Sequence, residues 1–225
     1  MPITTVIFDA YGTLFDVGAA ARALAETGAD PKLTTCWQKL AADWRQKQLQ
    51  YTWLRAVADQ HTDFWTVTQN GLDWAMEANG LDAPETRTAL LDLYWQLEAY
   101  PEVSDMLKTL KSQGQKTGIL SNGSKDMLTA AVSSAGLSDT LDVVLSVDDV
   151  GIFKPARQVY DMVGAALGCA REEVLFVSSN GWDAAGAAHY GFQTVWVNRA
   201  GEPRDRLYAG PQFEMSDLTT IPELI

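Results

Sequence analysis

The chain has 225 residues, of which 17 are Lys or Arg and 29 are Asp or Glu, so its formal net charge is −12. This length favours one domain, or one domain that carries a modest insertion. The acidic excess excludes a nucleic-acid-binding protein, because neutralising phosphates requires clustered cations.

Five apolar, β-type runs alternate with helical patterns along the chain. The first run, residues 4–8, stops at Asp9, where small and polar residues follow. The later elements are a helix near 102–112, a strand over 116–120, a helix near 124–136, a strand over 143–147, a helix near 156–168, a strand over 174–177, a helix near 183–190 and a strand over 194–197. Runs that are apolar on both faces are typical of parallel strands covered by helices on both sides. The sequence therefore predicts an α/β fold, with a doubly wound parallel sheet in a Rossmann-like core.

The segment 16–96 interrupts this alternation, because it contains no convincing strand and has the pattern of successive helices. One apolar stripe at helical spacing is formed by Trp37, Leu40, Trp44, Tyr51 and Leu54. Six of the eight tryptophans lie in this segment, and we interpret them as core packing, with substrate contact as the alternative. We predict a helical cap, 16–96, inserted into a core formed by 1–15 and 97–225. Residues 201–225 look irregular.

Polar side chains follow four of the predicted strands. Asp9 follows the first strand, Ser121 and Asn122 the second, and Lys154 lies a few residues past the third. The fourth strand is followed by Ser178, Ser179 and Asn180, with Asp183 just beyond. In an open parallel sheet, ligands bind beyond the carboxyl ends of the strands. The sequence therefore predicts a polar site at this edge of the sheet. A helix cap is the alternative for Asp9.

Five motifs carry a resemblance to a known family. They are FDAYGTLFDV from Phe8, WRQKQ from Trp44, LSNGS from Leu120, Lys154-Pro155, and VSSNGWD from Val177. Together they resemble the L-2-haloacid dehalogenases of the haloacid dehalogenase superfamily, over essentially the whole chain. The resemblance implies a hydrolase that converts short L-2-haloalkanoic acids to D-2-hydroxy acids and releases halide. It implies that Asp9 attacks C2 of the substrate and forms an aspartyl ester, which water then hydrolyses.

The resemblance also implies the partners of Asp9. The ammonium of Lys154 would favour the ionised carboxylate, since opposite charges at short range stabilise each other. Thr13 and Ser178 would be hydrogen-bond partners that hold Asp9 or nearby groups. The alternative for Thr13 is a turn hydroxyl that satisfies the local backbone, and for Lys154 a solvated lysine.

Halide and substrate would be bound by a second group of residues. By resemblance, Arg45 assists halide release and Asn122 and Trp182 complete the halide site, whereas an exposed helix arginine is the alternative for Arg45. Ser121 and the following turn would hold the substrate carboxylate with backbone N–H groups, unless this serine is only a helix N-cap. Tyr11 is assigned to substrate binding.

Hydrolysis of the ester is assigned to residues near the fourth strand. Asp183 is our candidate for activating the water, and Asn180 helps to orient it. The alternative for Asp183 is an acidic residue that only interacts with the helix dipole. By resemblance, Tyr160 positions Lys154 or the water, and simple core packing is the alternative.

Two other functions are carried as alternatives. A magnesium-dependent phosphatase of the superfamily would place an acid two residues after the nucleophile, where this chain has Tyr11, and a further carboxylate near Ser178–Asn180. We therefore expect no metal and no cofactor. The other alternative is a binding module without catalysis.

Location and assembly are predicted from general features. No apolar stretch approaches the roughly 20 residues that a membrane span needs, and residues 1–10 lack a signal-peptide pattern. Cys36 and Cys169 have no metal-ligand spacing and are expected to be free thiols. We expect a soluble, cytoplasmic protein, and a homodimer is left open by the aromatic cap.

Overall fold

A computed structural model describes residues 2–225 of the chain, which form a parallel sheet flanked by helices. The strands are β1 (Thr5–Phe8), β2 (Lys116–Ser121), β3 (Val143–Ser146), β4 (Val174–Ser178), β5 (Gln193–Val197) and β6 (Phe213–Met215). The helices are α1 (Ala19–Glu26), α2 (Pro31–Ala58), α3 (Phe64–Ala78), α4 (Pro84–Tyr94), α5 (Val103–Ser112), α6 (Lys125–Ser134), α7 (Arg157–Leu167) and α8 (Gly181–Tyr190). None of the helices within residues 2–225 is long and apolar enough to span a membrane.

The sheet has the order β3-β2-β1-β4-β5-β6, and every neighbouring pair is parallel. The chain moves outward from β1 to β2 and β3, then crosses through α7 to β4 on the other side of β1. The order of the strands therefore reverses between β1 and β4, which is where an open α/β sheet forms its ligand crevice. The predicted α/β class and parallel sheet are confirmed.

Two predictions about the strands are wrong. Residues 213–215 form β6 in a stretch predicted to be irregular, because three mostly exposed residues at the sheet edge carry no apolar pattern. The run 143–147 was expected to be covered on both faces, but β3 is an edge strand and Val144 is exposed.

Four helices, α1 to α4, occupy the chain between β1 and α5, and they pack against one another. Helix α2 begins at Pro31, where the side chain of Asp30 accepts from the backbone N–H groups of Lys32 and Leu33. It continues to Ala58 and ends at Asp59, which has a left-handed backbone. The division into a core of 1–15 and 97–225 and a cap of 16–96 remains a prediction.

The buried face of α2 differs from the predicted stripe. The buried residues are Leu33, Leu40, Trp44, Gln48 and Thr52, whereas Trp37 and Tyr51 are only partly buried and Leu54 is exposed. Four residues are slightly more than one helical turn, so this buried face winds gradually around the helix. The tryptophans are not all core residues either, because Trp53 and Trp74 are exposed.

Candidate active site

The carboxylate of Asp9 lies at the carboxyl end of β1, in the centre of the sheet, and is buried. Its Oδ2 accepts from Asn180 Nδ2 at 2.8 Å and from Thr13 Oγ1 at 3.1 Å. Its Oδ1 accepts from Lys154 Nζ at 3.1 Å. No helix begins at Asp9, so the helix-cap alternative is wrong, and the carboxylate is held on both oxygens.

Lys154 lies between two carboxylates. Its ammonium is fully buried and also donates to Asp183 Oδ2 at 2.7 Å. Burial alone would lower the pKa of Lys154, but the adjacent Asp183 and Asp9 raise it above its ordinary value. The lysine is therefore a cation at neutral pH, and because it is buried the solvated-lysine alternative is wrong.

Asp183 lies in the first turn of α8 and is fully buried. Its Oδ1 accepts from Tyr160 OH at 2.7 Å. Burial and the neighbouring Asp9 raise the pKa of Asp183, whereas Lys154 and Tyr160 oppose the rise. Tyr160 therefore contacts Asp183, and within residues 2–225 no hydrogen bond joins it to Lys154.

Thr13 and Ser179 join β1 to β4. The Thr13 hydroxyl accepts from the backbone N–H of Ser179 at 2.8 Å and donates to the Asp9 side chain, so it does not serve the backbone of its own turn. Gly12 has φ of +91° in the turn between Asp9 and Thr13, and an added Cβ would lie 3.1 Å from Ser179 Oγ. Ser179 was expected among the polar residues that follow the fourth strand, but the sequence assigned it no role in the site.

Ser178 holds the backbone of Asn180 and does not contact Asp9 through a hydrogen bond in residues 2–225. Its hydroxyl is fully buried and accepts from the backbone N–H of Asn180 at 3.1 Å. Asn180 is the N-cap of α8 but makes no side-chain cap, because its amide is used by Asp9 and Arg45.

Arg45 reaches this cluster from α2. Its Nη2 donates to Asn180 Oδ1 at 3.2 Å and to the carbonyl oxygen of Tyr11 at 3.1 Å. Its Nη1 donates to Gln48 Oε1 at 2.8 Å. The side chain is half-buried, so the exposed-arginine alternative is wrong. The guanidinium and the buried ammonium are two cations close to Asp9.

The turn after β2 forms another side of the site. Asn122 Oδ1 accepts from the backbone N–H of Lys154 at 2.9 Å, which fixes the segment that carries the lysine. Ser121 Oγ accepts from the backbone N–H of Gly123 at 3.0 Å, whereas the N-cap of α6 is Ser124. Ser121 is therefore not the helix cap. In residues 2–225, the backbone N–H groups of Tyr11 and Asn122 have no protein acceptor.

Aromatic rings of α2 and α4 pack against Tyr11 and Trp182 of the site. Tyr11 stacks on Tyr94 with ring centroids 5.8 Å apart, and Trp182 meets Trp53 edge to face at 5.4 Å. Burial raises the pKa of Tyr11 well above its ordinary value, so its hydroxyl stays protonated. Within the described chain, Tyr11 OH and Trp182 Nε1 are buried without a hydrogen-bond partner. Both are donors available to a bound molecule.

The donor set does not fit a divalent cation. Within residues 2–225, no group of three or more His, Cys, Asp or Glu side chains lies together. The position between the two carboxylates is filled by the Lys154 ammonium. Mg²⁺ requires several oxygen ligands around it, but here the two carboxylates already bind the Lys154 ammonium. The chemistry that the site supports is nucleophilic attack by a desolvated carboxylate next to cations.

Comparisons with known proteins agree with this geometry. A family model described as haloacid dehalogenase-like hydrolase matches residues 3–191. The chain is 40% identical over 225 residues to (S)-2-haloacid dehalogenase 1 of Pseudomonas sp. strain CBS-3, covering 100% of this chain and 97% of that protein. It is 42% identical over 223 residues to an (S)-2-haloacid dehalogenase of Pseudomonas sp. strain YL, covering 99% and 94%.

A solved structure extends the similarity to three dimensions. It is an L-2-haloacid dehalogenase from Xanthobacter autotrophicus with chloropropionic acid covalently bound. It superposes with a TM-score of 0.87 at 36% identity, covering 99% of this chain and 98% of that one. The similarity therefore includes the helices between β1 and α5 as well as the sheet.

Proposed function

The chain belongs to the haloacid dehalogenase-like hydrolases, and we propose that it hydrolyses the carbon–halogen bond of short L-2-haloalkanoic acids to give D-2-hydroxy acids. One observation carries the proposal. The carboxylate of Asp9 is hydrogen-bonded on both oxygens, next to the buried Lys154 ammonium and the Asn180 amide that also accepts from Arg45. Such a carboxylate is fixed in position and shielded from water beside a cation, as an attacking group must be.

In the first step, an oxygen of Asp9 forms a bond to C2 of the substrate while the carbon–halogen bond breaks and its electron pair leaves with the halide. Attack from the back inverts C2. Halide is a leaving group that needs no proton, so Tyr11 in place of an acid two residues after Asp9 does not impair this step.

Substrate binding is assigned to groups around Asp9. We assign the substrate carboxylate to the Ser121 hydroxyl and the unpartnered backbone N–H groups of Tyr11 and Asn122. The departing halide is assigned to Arg45, Asn122 and Trp182, whose side chains offer N–H donors.

In the second step, water attacks the carboxyl carbon of the Asp9 ester. Asp183 accepts one proton from the water, the bond from the Asp9 carbon to the substrate oxygen breaks, and the product alkoxide takes the other proton of that water. Asp9 is thereby restored as a carboxylate, and Asp183 releases its proton to solvent. A raised pKa makes Asp183 a better proton acceptor once it is ionised. Tyr160 holds one oxygen of Asp183, and Asn180 helps to orient the water.

The location and assembly are separate proposals. Cys36 and Cys169 are free thiols, which suits a reducing compartment such as the cytoplasm. Exposed Trp53, Leu54 and Val57 on α2 support a homodimer. Size-exclusion chromatography with light scattering tests the dimer.

The function is tested by halide release from L-2-chloropropionate in the presence of EDTA. The proposal predicts turnover without metal, no release from the D enantiomer, and D-lactate as product. A requirement for Mg²⁺ with activity on phosphate esters would instead support the phosphatase alternative. No turnover of either substrate class would support a binding module.

A further inference from the structure

Gln48 is a polar residue in the interior of the helical segment. It lies on α2 and is 1% exposed. Its Oε1 accepts from Arg45 Nη1, three residues earlier on the same helix face, at 2.8 Å. Its Nε2 donates to Thr68 Oγ1 on α3 at 2.8 Å and to Tyr94 OH on α4 at 3.1 Å. The amide therefore connects the arginine to two further helices.

The bonds to Arg45 and Thr68 have fixed directions. A guanidinium only donates, so Gln48 has to present its oxygen to Arg45. The Thr68 hydroxyl donates its single proton to the carbonyl oxygen of Phe64 at 2.7 Å, so it accepts from Gln48 Nε2. Arg45 therefore donates to the Gln48 oxygen and the Gln48 nitrogen donates to Thr68, so the amide has one orientation.

A second branch of the network returns to the site. Tyr94, which accepts from Gln48, stacks on Tyr11 with an angle of 12° between the rings. The carbonyl oxygen of Tyr11 accepts from Arg45 Nη2 at 3.1 Å. Both ends of the guanidinium are therefore held, one by Gln48 and the other by Tyr11 and Asn180.

Stability alone does not account for a glutamine at this position. A well-packed apolar side chain in place of a buried polar network is often neutral or stabilising. A free arginine has many rotamers, and ordering it has a cost in conformational entropy. Gln48 removes that freedom before substrate binds.

We propose that Gln48 is a positioning residue that fixes the Arg45 guanidinium where the halide departs. The inference rests on the proposed function, because it assigns Arg45 to the leaving group. Charge on the halide develops in the transition state, so a misdirected guanidinium slows bond breaking more than it weakens substrate binding. Chloride, the poorer leaving group, depends on this stabilisation more than bromide.

The test compares kcat/KM for L-2-chloropropionate and L-2-bromopropionate, which reports all steps up to halide departure. The Gln48→Met variant keeps the length of the side chain but removes its hydrogen bonds. We expect a loss of about tenfold or more with the chloro substrate, the scale of a misplaced catalytic group, and a smaller loss with the bromo substrate. Gln48→Glu keeps an acceptor for Arg45 and should retain most of the activity.

Two further variants separate positioning from a structural role. If Gln48 acts through Arg45, the double variant Gln48→Met/Arg45→Lys should have nearly the same ratio of chloro to bromo kcat/KM as Arg45→Lys alone. The effects of the two substitutions on this ratio are then non-additive. Thr52→Val is the matched control, because Thr52 is buried on the same helix but its hydroxyl donates to the carbonyl oxygen of Leu49. It should leave the ratio unchanged.

Several results would overturn the inference. Gln48 would be assigned to packing only if Gln48→Met lowered kcat/KM equally for the chloro and bromo substrates. The same conclusion would follow if its effect on the ratio were additive with that of Arg45→Lys, or if Thr52→Val changed the ratio equally. If Gln48→Met does not fold, Thr68→Val is the substitute, because it removes a partner of the Gln48 amide. It should change the ratio of chloro to bromo kcat/KM in the same direction by a smaller amount. An unchanged ratio would contradict the inference. A wild-type protein that releases no halide would instead refute the proposed function, and with it this role of Gln48.

Discussion

Arg45 donates to the side-chain oxygen of Asn180 at 3.2 Å, across 135 residues of sequence. The same amide donates from its nitrogen to Asp9. One asparagine therefore links the guanidinium on α2 to the carboxylate at the end of β1, and it does so because the chain crosses from β3 to β4 next to β1. The two half-reactions of the proposed mechanism can be separated by variants around this link.

Asp183→Asn should stop the reaction after the first step, because the ester forms but no carboxylate remains to accept the proton from water. We expect about one equivalent of halide per enzyme and then no further release. Intact-protein mass spectrometry should show the carboxyalkyl group of the substrate attached to the chain through C2. Asp9→Asn is the control, with neither a burst of halide nor an added mass. Steady turnover by Asp183→Asn at the wild-type rate would remove Asp183 from the mechanism.

The acidic limb of the kcat profile should reflect Asp183. Burial raises its pKa, so activity should fall as the pH drops through a value above the ordinary aspartate pKa of about 3.9. The Tyr160 hydroxyl bonds to the ionised form and opposes this rise. Tyr160→Phe should therefore move the acidic limb to higher pH, as measured by halide release from L-2-bromopropionate. An unchanged limb would mean that Tyr160 does not act on Asp183.

Lys154→Met should lose both activity and stability. Removing one partner of a buried ion pair costs about 3–5 kcal/mol, because it leaves a charge uncompensated. In the variant, Asp183 faces Asp9 with no cation between them, so the pKa of Asp183 rises further and the folded state favours its protonated form. The loss in free energy of unfolding should therefore be larger at pH 8 than at pH 5.

Urea denaturation at both pH values measures this difference. The wild-type Lys154 has a raised pKa, so its contribution to stability is constant below about pH 10 and is lost only as the pH rises through that pKa. Equal losses at pH 5 and pH 8 in Lys154→Met would contradict the expected coupling between the two carboxylates.

Gly186→Ala should disturb the site through packing. An added Cβ would lie 2.6 Å from Tyr160 OH and 2.8 Å from Pro155 Cβ, which is closer than van der Waals contact allows. We expect a loss of about 1–3 kcal/mol in stability, typical of overpacking, and a lower kcat. Gly210→Ala is the matched control, since nothing lies within 4 Å of its Cβ. A Gly186→Ala variant with wild-type kcat would show that Tyr160 tolerates displacement.

The sequence predicted most of the site, because parallel strands bring their carboxyl ends to one edge whatever their separation along the chain. Asp9 follows β1 directly, and Asn180 and Asp183 lie where β4 leads into α8, so their meeting is a consequence of the topology. Lys154 follows an edge strand at a distance, and its pairing with Asp9 was predicted because the opposite charges of an ammonium and a carboxylate stabilise each other.

The remaining differences have local causes. Gln48 and Thr52 continue the buried face of α2, but a hydropathy pattern classes them as surface residues and extends the stripe to Leu54 instead. Their burial depends on partners in α3 and α4 for Gln48 and on a backbone carbonyl for Thr52. Strand β6 escaped prediction because it packs little side-chain surface and is held through its backbone pairing with β5.

The central claim is that Asp9 forms a covalent ester with C2 of the substrate. A single turnover in oxygen-18 water, with enzyme in excess over L-2-chloropropionate, tests it most directly. The account predicts that the first-cycle lactate contains no heavy oxygen and that one heavy oxygen appears in the peptide containing Asp9. Heavy oxygen in the first-cycle lactate, with an unlabelled Asp9 peptide, would mean that water attacks C2 directly and would contradict the account.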